Sequence, residues 1–218
     1  MGRLLSRTGS RISEKHPKSY IWVDTNCINK SSSAELSEAI NSMFTWYKNS
    51  YCCYVYLADV EDPDNARFKD SLRNSRWFTR GWTLQELLAP RSIRFFTQEW
   101  KPISMDSRRS SQHPAYDINP KGHKVQEGQE PLLRLLSDIT GIRLDVLIYP
   151  ENVVSCSNGE KMSWIAGRET TREEDVAYCL LGIFDINMPL LYGEGSKAFK
   201  RLQEEIIKQS TDHSLFAW

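Results

Sequence analysis

The chain has 218 residues, and its 28 Lys plus Arg balance 28 Asp plus Glu, so the net charge is zero. Such a chain carries no overall basic field to attract nucleic acid, and no apolar run approaches the roughly 20 residues needed to span a bilayer. The opening MGRLLSRTGSRISEKHPK lacks the apolar centre of a secretory signal, and five cysteines with no CxxC pair fit reduced thiols, which together predict a cytoplasmic protein. A zinc site could be drawn from Cys27, Cys52 and a histidine, but without paired ligand spacing the cysteines read as small buried hydrophobes, and no metal is expected.

Residues 1–18 are polar and basic without period and read as a loose arm. The run YIWV, Tyr20 to Val23, is apolar on both parities and predicts a strand covered on both faces and closed by Asp24. After the loop TNCINKSS, Ser32 and Glu35 form a capping box, and Leu36, Ile40, Met43, Phe44 and Tyr47 recur at helical spacing. CCYVYLADV, Cys52 to Val60, reads as a second strand, closed by Asp59. SRWFTRGWTLQELLAP then predicts a helix over Arg80 to Ala89, stopped by Pro90. Its Leu84, Leu87 and Leu88 fall on one face, and Trp82, Gln85 and Glu86 on the other.

SIRFF, Ser92 to Phe96, predicts a third strand. Strand and helix alternate from Tyr20 to Phe96, which argues for a parallel α/β sheet with ligands beyond the carboxyl ends of its strands, where Asp24 and Asp59 fall. Residues 101–129 read as a polar loop. Beyond them the text is helical. Pro131 opens a helix that Gly141 ends, Thr171 and Glu174 make a second capping box, and YGEGSK, Tyr192 to Lys197, reads as a turn and cap rather than a phosphate cradle. Ser196 caps a last helix in which Phe199, Leu202 and Ile206 share a face, with Lys200–Glu204 and Arg201–Glu205 pairs outside. Val176, Leu180 and Phe184 join them as expected core.

Three stretches, YIWVDTNCINKSSSAELSEAINSMFTWYKNS, CCYVYLADV and SRWFTRGWTLQELLAP, together resemble the fungal heterokaryon incompatibility (HET) domain. SWIAGRETTREEDVAYCLLGIFDINMPLLYGEGSKAFKRLQEEI and HSLFAW resemble the segment that follows that domain in many members, so the likeness runs from about Tyr20 to Trp218. The resemblance implies intracellular self/non-self recognition and programmed cell death. It divides the chain into an arm over 1–18, a truncated HET domain over 19–100, the polar loop over 101–129 and a helical extension over 130–218. A remoter likeness is to Toll/interleukin-receptor (TIR) domains, whose Ser-x-x-Trp-Cys-x-x-Glu-Leu motif GWTLQEL resembles with Thr83 in place of the cysteine. The implied fold class is α/β: a partial TIR-like, flavodoxin-like parallel sheet of about three strands with flanking helices, then a mainly helical extension.

In TIR enzymes the motif glutamate cleaves NAD at the nicotinamide glycosidic bond, so the resemblance makes Glu86 the candidate catalytic residue, Trp82 a substrate wall and NAD the implied substrate. Such cleavage passes through an oxocarbenium-like state that a carboxylate stabilises, beside an aromatic surface that takes a base or sugar. Asp24, Asp59 and Arg80 are candidate substrate contacts. Against this, a single helix glutamate is most often a solvated charge, acids closing strands commonly cap the next turn, and Arg76 and Arg80 are equally read as solvated or ion-paired. The family's usual first strand and helix are missing between MGRLLSRTG and Tyr20, which would leave an open sheet edge. Two functions therefore stand side by side: an NAD-cleaving death effector, and a non-enzymatic module that associates with like domains, or an inactive fragment.

Overall fold

The computed structural model describes residues 20–103 and 129–217. The expected arm over 1–18 and nearly all of the expected loop over 101–129 lie outside them. The chain divides into two compact units, Met1–Ala39 and Ile40–Trp218.

In the first unit, Tyr20 to Val23 is not a strand. It has no regular structure, and Tyr20, Ile21 and Trp22 are exposed. The neighbouring residues are the cause: Asp24–Cys27 forms a helical turn, α1, in which the amides of Asn26 and Cys27 bond back to the Val23 carbonyl at 3.0 and 2.8 Å. Asp24 Oδ1 accepts the next residue's N–H at 2.7 Å. A four-residue apolar run carries no period of its own, and local Asx bonding decided the conformation. Helix α2, Ser33–Asn49, whose residues from Ile40 on belong to the second unit, begins as its sequence predicts, with Ser32 Oγ accepting the Glu35 N–H at 3.3 Å. Glu35 Oε1 reaches further back than a standard box, to the Asn29 N–H at 2.9 Å. Ala39, Ile40 and Met43 are buried, while Leu36, Phe44 and Tyr47 are half-buried.

The second unit holds β1, Cys53–Tyr56, and β2, Ile93–Phe96, paired in parallel with Cys53 opposite Ile93 and Tyr56 opposite Phe96. Among the described residues the sheet has two strands rather than three. Its inner face, Cys53, Val55, Ile93 and Phe95, is buried. The outer face was expected to be equally covered but is half-exposed and aromatic: Tyr54 stacks on Phe96 at 5.9 Å and Tyr56 on Trp100 at 4.4 Å. Helix α3, Phe68–Arg73, and helix α4, Thr83–Leu88, lie in the connection between the strands. Helix α4 is shorter than expected because turns, not helix, carry the chain from Arg76 to Trp82.

Next comes α5, Gln129–Thr140, which buries Leu132, Leu133, Leu135 and Leu136 and ends at Gly141, whose φ of 70° only glycine adopts without strain. Helices α6, Leu144–Ile148, and α7, Asn158–Ser163, come after it, the latter capped by Ser157 Oγ on the Glu160 N–H. Two four-residue helices, α8 over Asp175–Tyr178 and α9 over Leu181–Phe184, precede the long α10, Lys197–Gln209. Leu180, Phe184, Leu202 and Ile206 are buried as their spacing predicts, whereas Val176 and Phe199 are half-buried. Of the two expected ion pairs on α10, Lys200–Glu204 forms at 3.9 Å. Arg201 instead turns inward to Glu194 at 3.0 Å, and Glu205 takes Lys208 at 2.7 Å.

Distant segments of this unit meet at small residues and amides. A Cβ on Gly182 would lie 2.0 Å from that of Phe44, and one on Gly81 would lie 2.6 Å from Thr170 Cγ2. Asn41 Oδ1 accepts the Met188 N–H at 3.3 Å, and its Nδ2 faces the Met188 carbonyl at 3.4 Å.

Candidate functional site

The segment from Asp59 to Leu88 builds the surroundings of Glu86. Asp59 closes β1's loop by accepting the Ser75 hydroxyl at 2.7 Å and the Arg76 N–H at 2.8 Å, with the Arg76 guanidinium 3.6 Å away. The carboxylate thus fixes the start of the SRWFTR turn. From that turn Trp77 extends over β2, its ring edge-on to Phe95 at 5.6 Å and to Phe78 at 5.1 Å. Its indole Nε1 donates to Glu86 Oε2 at 3.2 Å. Glu86 is half-buried and also lies close enough to β1 to bear on Cys53. Burial pushes that thiol well up, and the Glu86 carboxylate and Cys52 add to the effect.

The second face of α4 is not turned to water as a whole. Gln85 is fully buried, and its Nε2 donates to the Cys179 carbonyl at 2.8 Å, while its Oε1 has no hydrogen-bond partner. Thr83 is buried as well. Its hydroxyl faces two carbonyls, those of Trp77 at 2.5 Å and Arg80 at 2.8 Å, and takes a hydrogen bond from Arg168 Nη1 at 3.1 Å. Arg168 Nη1 also donates to the Arg80 carbonyl at 2.9 Å, and its Nε to the Trp164 carbonyl at 3.0 Å. All three acceptors are neutral, and burial lowers this guanidinium to about 10. A backbone bridge runs alongside: Gly81 N–H to the Glu169 carbonyl at 2.9 Å, and Glu169 N–H to the Thr79 carbonyl at 2.6 Å.

Of the residues singled out in the sequence, Trp82 sits at the N-cap of α4 and Glu86 four residues on within it, both half-buried. Arg80 keeps its side chain exposed and contributes its carbonyl. Asp59 is occupied with the Ser75–Arg76 turn, and Asp24 lies exposed in the N-terminal unit. Sequence reasoning missed Trp77 and Arg168. The presence of two tryptophans in SRWFTRGW was the one available signal for the first.

Among the described residues no group of three His, Cys, Asp or Glu is placed to hold a metal ion, and all five cysteines are free thiols. No helix among them is long and apolar enough to cross a membrane.

Residues 7–71 match the family described as heterokaryon incompatibility protein (HET), and residues 197–218 match a domain of unknown function, DUF8212. The match over residues 7–71 makes this a HET-domain protein. It is 44% identical over 197 residues to the vegetative incompatibility protein HET-E-1 of Podospora anserina, an alignment that covers 88% of this chain and 13% of that protein. The chain thus spans about one eighth of the relative's length. The family match ends before α4, so Glu86 lies outside it, while the alignment to the relative takes in most of the chain. No solved structure matches the chain significantly.

Proposed function

We propose that this chain acts in heterokaryon incompatibility, in the recognition of self and non-self that ends in programmed cell death. The observation that carries the reading is the 44% identity over 197 residues to a protein named for vegetative incompatibility. Inducible expression of the chain in a filamentous fungus tests it. The expected result is growth arrest with uptake of a vital dye, and normal growth at comparable levels of folded protein would overturn it.

For the chemistry, we assign Glu86 as the carboxylate that would face a ribosyl oxocarbenium during cleavage of NAD at its nicotinamide bond, with Trp82 as the flat wall and Arg80 and Asp59 as candidate contacts to phosphate or ribose. A carboxylate placed against developing positive charge lowers the barrier by several kcal/mol, and each 1.36 kcal/mol is tenfold in rate. Glu86→Gln retains shape and removes only charge, so it should abolish nicotinamide release and cell death together.

A second reading is favoured by one observation, the bond from Trp77 Nε1 to Glu86 Oε2. A carboxylate already engaged by an indole serves the turn that holds it, and the domain then signals by associating with like domains. Death retained in a folded Glu86→Gln protein, with no nicotinamide released by the wild type, would select this second reading.

A further inference from the structure

The link between Glu86 and the C-terminal segment runs through four side chains. Arg168 Nη1 donates to Thr83 Oγ1, the Thr83 hydroxyl donates to the Trp77 carbonyl, and the Trp77 indole donates to Glu86 Oε2, at 3.1, 2.5 and 3.2 Å. Both ends are anchored. Arg168 is held by the Trp164 carbonyl and by the Glu169 backbone bridge to Thr79 and Gly81, and the Trp77 ring is wedged edge-on against Phe78 and Phe95. A guanidinium half out of water with only neutral acceptors is costly to keep, and an apolar side chain of similar size would fill the same place without that cost. Arg168 does what such a replacement could not. Its Nη1 binds the Arg80 carbonyl and Thr83 Oγ1 at once while Nε holds the Trp164 carbonyl, and so it fixes the start of α4 against the turn that carries Trp77.

We propose that Arg168 and Thr83 are positioning residues for the Glu86 carboxylate, acting through Trp77, so that the segment after residue 160 sets the geometry of the HET-side helix. Neither residue touches Glu86. Displacing Arg168, whether by substitution or by a partner that engages the RETTRE loop, lets the Trp77 carbonyl relax and the indole leave the carboxylate. The functional meaning of the relay rests on the proposed role of Glu86 in cell death, but the relay itself is read without any activity.

The test follows the Trp77 indole N–H by proton–nitrogen correlation spectroscopy of the whole chain, its signal being the one of seven tryptophans lost in Trp77→Phe. In wild type the resonance should be shifted downfield and slow to exchange, as a donor to a carboxylate is, and Glu86→Gln should move it upfield. Thr83→Val and Arg168→Gln should move it the same way and speed exchange about tenfold, the worth of roughly one hydrogen bond, while Thr83→Ser restores the wild-type signal. If Thr83→Val does not fold, Arg168→Gln and Arg168→Lys carry the comparison, the lysine giving a partial shift because it has one donor nitrogen where arginine uses both Nη1 and Nε. An indole signal unmoved in a folded Arg168→Gln protein would overturn the proposal. If the signal moves as expected while Arg168→Gln still kills cells like wild type, the relay stands and the assignment of Glu86 to the death function fails.

Discussion

The sheet with α4, and the loop that joins α9 to α10, reach similar burial by different chemistry. On the leucine face of α4 and the inner face of the sheet the closure is apolar, with Leu84, Leu87, Leu88, Val55 and Ile93 each no more than 4% exposed. Around the loop it is ionic and polar. Glu174, only 7% exposed, uses one oxygen to hold the N–H groups of Gly193 and Gly195 at 2.7 and 3.1 Å. Glu194 pairs with Arg201 and takes the Tyr178 hydroxyl at 3.0 Å, Tyr192 donates to Asp175 at 2.9 Å, and Arg172 lies 4.2 Å over the Tyr192 ring. The first region should fail through lost packing at any pH, and the second through lost charge in acid. Two regions of one cooperative unit can thus respond to different insults.

The largest expected effects break the apolar side of that contrast. Leu84→Ala should cost about 2–5 kcal/mol in a denaturant titration, with the same loss at pH 5 and pH 8, because a cavity has no proton to exchange. Leu202→Ala, at another fully buried leucine, should fall in the same range.

Gly81→Ala should cost less, about 1–3 kcal/mol, since the new methyl meets Thr170 Cγ2 and then the Cys179 sulfur at 3.1 Å. It should also weaken protection of the Gly81 amide, seen by hydrogen exchange, because the bridge to Glu169 must open to admit the methyl.

The smallest effect sharpens the ionic side. Backbone N–H bonds, from its own residue and from Gly193 and Gly195, hold the Glu174 carboxyl below the usual carboxylate range, and the Arg201 hydrogen bond does the same for Glu194. A carboxylate depressed in the folded state contributes stability above its unfolded value, near pH 4.3, and that contribution is lost as pH falls toward the folded value. The wild type should therefore lose stability below about pH 4.3 more steeply than Glu174→Gln, which starts lower at neutral pH but follows a flatter acid limb. Parallel acid limbs in thermal unfolding at pH 3–5 would remove Glu174 from the account.

What the sequence disclosed and what it withheld divide along the range of the interactions. Helix α2 and the leucine stripe of α4 were readable because each repeats a period within its own segment, and the strands at Cys53 and Ile93 because each is a short apolar run bounded by turn residues. Tyr20 to Val23 misled because four apolar residues fit a strand and an exposed coil equally, and the Asp24 turn decided between them. The capping box at Thr171 failed for a tertiary reason. Glu174 is drawn off by two amides of a loop nearly twenty residues away, turned toward it by the positive φ of Gly193 and Gly195. At the candidate site Glu86 and Trp82 were singled out from the helical wheel and their motif. Trp77 was not, because nine residues of turn and helix separate it from Glu86, and Arg168 was not, because it arrives from 85 residues beyond Thr83. The second face of α4 looked wet on a helical wheel only because the wheel cannot show the chain that covers Gln85.

The paired amides of Asn41 and Met188 join positions 147 residues apart. On the ribosome, which adds about 5–20 residues per second, the partner of Asn41 is synthesised roughly 7 to 30 s after it. Through that interval Asn41 and Phe44, which packs where Gly182 leaves room, wait for the segment that meets them. A surface waiting in that way is the kind chaperones hold and aggregates grow from. Closure over so long a separation carries the cost of bringing distant segments together before the contacts that offset it.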